Sequence, residues 1–99
     1  MRRILFVDDE PNVLDGLRRM LYPLRKEWEM TFTSSGQDAL RAMSESEFDL
    51  LVTDVRMPGM SGIELLSEVV ARYPQVIRMV LSGTADQDVT LRSVNLAHQ

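Results

Sequence analysis

Three short apolar runs constrain this chain more than any other feature. They are Ile4-Leu5-Phe6-Val7, Leu50-Leu51-Val52-Thr53 and Val76-Ile77-Arg78-Met79-Val80-Leu81. A continuous apolar run of this length reads as a strand buried on both faces, and such strands belong to parallel sheets covered by helices. Each run ends in an acid or a hydroxyl: Asp8 and Asp9 after the first, Asp54 after the second, Ser82 after the third. As neighbouring parallel strands, they would bring these groups to one edge of one sheet. The carboxylates there repel one another, so the cluster needs a cation, and hard oxygen ligands suit Mg²⁺.

The stretches between the runs fit helices. Val13, Leu14, Leu17, Met20, Leu21 and Leu24 recur at helical spacing. Pro11 suits a first helical turn, Asp9 and Glu10 favour the positive end of the helix dipole, and Pro23 predicts a late kink or stop. Met30-Thr31-Phe32-Thr33 alternates apolar and polar, as in an edge strand with one wet face. Ser34 and Gln37 form a capping-box pattern opening a short helix with Ala39, Leu40 and Met43 on one face. Ser61 and Glu64 form another, before Ile63, Leu66, Val69 and Val70, and that helix should end near Tyr73-Pro74. Gly83 breaks the last run. Thr84 and Gln87 then predict a fourth helix carrying Val89, Leu91, Val94 and Leu96.

Strand-helix alternation of this kind predicts an α/β domain with a parallel sheet and right-handed crossovers. In such sheets, ligands bind beyond the carboxyl ends of the strands, where strand order reverses. Placing the runs that end in Asp8 and Asp54 as central neighbours puts the acids at that crevice.

Composition narrows the class further. Ninety-nine residues make one small domain. A net charge of −4 argues against unaided nucleic-acid binding and against an anionic membrane surface. The chain has no Cys, hence no disulfide and no thiolate metal site. Met1-Arg2-Arg3 precedes only four apolar residues, too few for a signal peptide, and no apolar stretch reaches membrane-spanning length. These features predict a cytoplasmic protein. Neither a P-loop nor a dinucleotide-binding Gly pattern is present.

Taken together, Val7-Asp8-Asp9-Glu10, then Asp54-Val55-Arg56-Met57-Pro58-Gly59-Met60-Ser61-Gly62, then Ser82-Gly83 resemble the receiver domain of two-component response regulators. The resemblance covers residues 1–99 in order and spacing. Its most specific part is Asp-x-x-Met-Pro-Gly-Met-x-Gly at the end of an apolar strand. It implies a flavodoxin-like (CheY-like) doubly wound parallel sheet of strand order 2-1-3-4-5. It also implies that Asp54 is the phosphoryl acceptor, a carboxylate nucleophile. Asp9 and Asp54 would hold Mg²⁺ directly, Asp8 mainly through water, and the backbone carbonyl of Arg56 would complete the protein ligands. Ser82 would donate its hydroxyl to the bound phosphoryl group and so bias the loop after the fourth strand. The implied donor is a histidine kinase or a phosphotransfer protein, and the implied output domain lies C-terminal. Such a domain is a switch rather than a turnover enzyme.

The rival reading is a module of the same fold that binds partners without phosphorylation. A Mg²⁺-dependent phosphatase with an aspartyl nucleophile fits poorly, because Arg56, not an acid, lies two residues after Asp54.

The resemblance also predicts what is missing. Four βα units are expected here, without the family's fifth strand and fifth helix. The family's phosphate-contacting Lys and its aromatic switch residue belong to that fifth strand. Lys26 is the only Lys of this chain and falls on or just after the first helix. The expectation is a C-terminally incomplete receiver that keeps its Mg²⁺ ligands but holds a phosphoryl group less well. The apolar edge of its fourth strand would be open to pairing in a homodimer.

Overall fold

The apolar runs form the interior of one five-stranded sheet. The computed structural model describes residues 2–84 and 88–94, with side chains described up to Leu81. In chain order the elements are β1 (Arg2–Val7), α1 (Pro11–Leu21), a 3₁₀ turn (Tyr22–Leu24), β2 (Trp28–Thr33) and α2 (Gly36–Glu45). Then follow β3 (Leu50–Asp54), α3 (Gly62–Arg72), β4 (Ile77–Thr84) and β5 (Asp88–Val94). The spatial order is β2-β1-β3-β4-β5, and β2, β1, β3 and β4 run parallel. β1 and β3 are neighbours, so the two Asp-terminated runs stand side by side where strand order reverses.

Both faces of the sheet are covered. Leu5, Val7, Leu51 and Val80 pack with Ala39 and Met43 of α2 and Leu65, Leu66 and Val69 of α3. On the opposite face Ile4, Phe6, Val52 and Leu81 pack with Leu14 and Leu17 of α1. Alternate residues of each strand thus feed opposite layers, which is why their sequences are apolar throughout. Within α3 the buried stripe is Leu65, Leu66 and Val69, whereas Ile63, expected inside, is exposed. Met20 of α1 is likewise exposed. β2 is an edge strand of mostly half-buried residues, as its alternation predicts.

Pro11 occupies the first turn of α1, and Pro23 lies in the 3₁₀ turn that ends it. The α3 capping box is complete: Ser61 Oγ accepts from Glu64 N–H at 3.2 Å, and Glu64 Oε1 accepts from Ser61 N–H at 2.9 Å. The cap of α2 falls one residue later than expected. Ser35, not Ser34, accepts from Asp38 N–H at 3.1 Å.

Residues 88–94 depart from the expected fourth helix. They form β5, antiparallel to β4, from the pair Arg78↔Val94 to the pair Thr84↔Asp88. Two physical reasons favour the strand. Val89, Thr90 and Val94 are β-branched. Pairing also satisfies the backbone groups along the outer edge of β4. The β4 edge is therefore occupied within the chain, which corrects the expected homodimer through that edge. Gln87 and Leu96 of the expected helix lie outside the described residues.

Arg78 of β4 is buried, although it interrupts an apolar run. Its guanidinium Nη1 donates to the carbonyls of Val76 at 2.8 Å and Pro74 at 3.3 Å. That ties the α3–β4 connection to the strand. No helix among the described residues is long and apolar enough to cross a membrane.

Candidate functional site

The carboxyl ends of β1 and β3 build the site. Register pairs Val7 with Thr53 and Asp54 with Leu81, so Asp8 and Asp54 leave their strands at the same level. Asp8, Asp9 and Asp54 each place one carboxylate oxygen within 4.8 Å of the others. The three acids singled out in the sequence therefore converge. Asp8 is buried, while Asp9 and Asp54 are half-buried.

Backbone hydrogen bonds fix this geometry. Asp8 N–H donates to the Thr33 carbonyl at 3.1 Å, and the Thr33 hydroxyl donates to the Phe6 carbonyl at 3.1 Å. The end of β2 thus holds the end of β1. Asp8 Oδ1 accepts from Glu10 N–H at 2.8 Å, just before the first turn of α1. Asp8 therefore engages the backbone at the helix entry where Asp9 and Glu10 were the expected charges; Glu10, the N-cap residue, makes no side-chain cap bond. Asp54 Oδ1 accepts from Val55 N–H at 2.8 Å, and the buried Thr53 hydroxyl donates to the Asp54 carbonyl at 3.0 Å.

The 55–61 loop is folded back against Asp54. Gly62 N–H donates to the Val55 carbonyl at 2.8 Å. A Cβ at position 62 would overlap the Asp54 carbonyl oxygen and lie 2.8 Å from Val55 Cα. Gly59 turns the loop with φ +76°, in the left-handed region that other residues rarely enter. Met57 is buried in the α2–α3 core and anchors the loop from below. The Arg56 side chain is exposed, and its carbonyl belongs to this loop.

Burial pushes the Asp8 carboxyl up from 3.8 to about 6. Asp54 and Asp9 push in the same direction, and the Glu10 N–H opposes them. Desolvation outweighs repulsion among the acids, because Asp8 is buried while Asp9 and Asp54 are half-buried. A set of oxygen donors with one carboxyl driven toward neutrality is the environment a hard divalent cation relieves, so the residues fit Mg²⁺.

Ser82 follows Leu81, which is level with Asp54, so its backbone stands at the same end of the sheet. Its side chain lies outside the described residues. Sequence reasoning did not single out Thr33 or the packing of Gly62. The hydroxyl of Thr33 gives no local signal, whereas a Gly directly after the N-cap Ser61 is a detectable hint of close approach.

The geometry agrees with comparison to known proteins. A family model for the response regulator receiver domain matches residues 4–98. The hydrogenase transcriptional regulatory protein HoxA of Cupriavidus necator is 36% identical over 94 residues, covering 95% of this chain and 19% of HoxA. The chain spans less than half the length of the curated relatives it matches. Among solved structures, the signal receiver domain of an HD domain-containing protein from Pseudomonas fluorescens superposes with a TM-score of 0.79 at 30% identity. That match covers 86% of this chain and 66% of the other. The response regulator TrrA of Thermotoga maritima, solved with Mg²⁺-BeF, gives a TM-score of 0.76 at 32% identity, covering 86% and 72%. TrrA has also been solved in complex with the histidine kinase ThkA. By its family match, the order of its four parallel strands and its converging acids, this chain belongs to the receiver domains of two-component response regulators.

Proposed function

We propose that Asp54 accepts a phosphoryl group from a histidine kinase or a phosphotransfer protein in a Mg²⁺-dependent reaction in the cytoplasm. The convergence of Asp8, Asp9 and Asp54 at the switch point of the sheet carries this reading. Likeness to TrrA, known with Mg²⁺-BeF and with a histidine kinase, supports it.

Asp8, Asp9, Asp54 and the Arg56 carbonyl would hold the Mg²⁺ ion. When bound, it would offset repulsion between the carboxylates and the phosphoryl oxygens. The Val55 N–H fixes the Asp54 carboxylate by its Oδ1. A carboxylate oxygen of Asp54 then bonds to phosphorus as the donor's phosphorus–nitrogen bond breaks, with the electron pair leaving on the imidazole nitrogen. The Ser82 hydroxyl would donate to the new phosphoryl group. That bond exists only in the phosphorylated state, so it biases the segment after β4. The domain works as a switch rather than a turnover enzyme, and it serves an output domain C-terminal to it.

Phosphotransfer from a labelled histidine kinase tests the reading. Label should move to the parent chain with Mg²⁺, and neither to Asp54→Asn nor in the presence of a chelator. An Asp54→Asn protein that keeps partner binding and signalling would instead favour the phosphorylation-independent module.

A further inference from the structure

The loop that carries Arg56 is held at two places, and only one belongs to the sequence motif's own end. Its base closes where Gly62 N–H meets the Val55 carbonyl. Its C-terminal arm rests on a different element. Met60 packs against the α2–α3 core, and its side chain lies over Gly36, the buried first residue of α2. A Cβ at position 36 would come within 2.8 Å of Met60 Sδ, 3.0 Å of its Cγ and 3.2 Å of its Cβ.

These distances decide what the contact does. The sulfur is near the end of a flexible chain and could swing away from an added methyl group. The Met60 Cβ cannot, because it is bonded directly to the loop backbone. The start of α2 therefore approaches the loop itself, not merely a side-chain tip. We propose that Met60, seated on the bare Cα of Gly36, is a positioning residue for the metal site. The contact sets the height of the 55–61 loop above Asp54, and with it the Arg56 carbonyl. Ligands of this type depend on such outer support, because a small displacement weakens coordination.

This inference rests on the metal-site reading above, and the test separates the two. Mg²⁺ is titrated into the protein, and the dissociation constant is read from backbone amide shifts in NMR spectra. Gly36→Ala and Met60→Ala should each weaken Mg²⁺ binding by about tenfold. Met60→Leu, which refills the seat, should bind close to the parent. Val69→Ala, in the core of α3 away from the loop, should lower the melting temperature while leaving Mg²⁺ affinity intact. Should Gly36→Ala fail to fold, Met60→Ala decides the matter. Parental Mg²⁺ affinity in Met60→Ala, or an equal loss in Val69→Ala, would overturn the positioning role. A parent protein that binds no Mg²⁺ would overturn the reading of the site and this role with it.

Discussion

Gly62 and Asp54 are in backbone contact, with no room for a methyl group between the Gly62 Cα and the Asp54 carbonyl. The first residue of α3 is thereby pressed against the last residue of β3. Gly62→Ala should force the loop outward and cost about 1–3 kcal/mol of stability, the usual range for overpacking a tight site. Denaturant unfolding measures the stability. Mg²⁺ affinity should fall in the same variant, since the displaced loop carries the Arg56 carbonyl.

The raised Asp8 pKa gives the metal-free domain a specific pH dependence. Its folded value of about 6 lies above the ordinary 3.8, so between these values the folded state binds more protons than the unfolded state. Stability should therefore fall as pH rises from about 4 to about 6, then level off. Asp8→Asn should remove this fall and stabilise the metal-free protein at neutral pH. Mg²⁺ should bind with release of a proton near pH 6, and its affinity should drop roughly tenfold per pH unit below that. Melting curves across pH, with and without Mg²⁺, give both results.

The two serines before α2 should behave differently. Ser35→Ala removes the oxygen that accepts from Asp38 N–H and should cost about 1 kcal/mol. Ser34→Ala removes no such cap and should be close to neutral. Ser61→Ala should cost at least as much as Ser35→Ala, because it also breaks the reciprocal bond to Glu64. Thermal melts of the three variants rank them.

Much of this fold was legible because local pattern and tertiary role coincide. Ile4–Val7 and Leu50–Thr53 are apolar at every position, and both become central strands. Ser61 and Glu64 announce the start of α3, and the strand-end acids announce the site. Other features depend on distant chain segments. Residues 88–94 carry a pattern that suits a short helix or a strand, and the pairing needs of the β4 edge select the strand. Ser34 and Ser35 both precede a polar residue by three positions, and only the backbone path chooses between them. Neither the burial of Asp8 nor the seat of Met60 on Gly36 has a local signature.

The reading of this site turns on Asp54 as the phosphoryl acceptor of the acidic cluster. Intact mass after incubation with a small-molecule phosphodonor and Mg²⁺ is the decisive measurement. The parent chain should gain one phosphoryl group, and Asp54→Ala should gain none. Equal addition to the parent and to Asp54→Ala would contradict it.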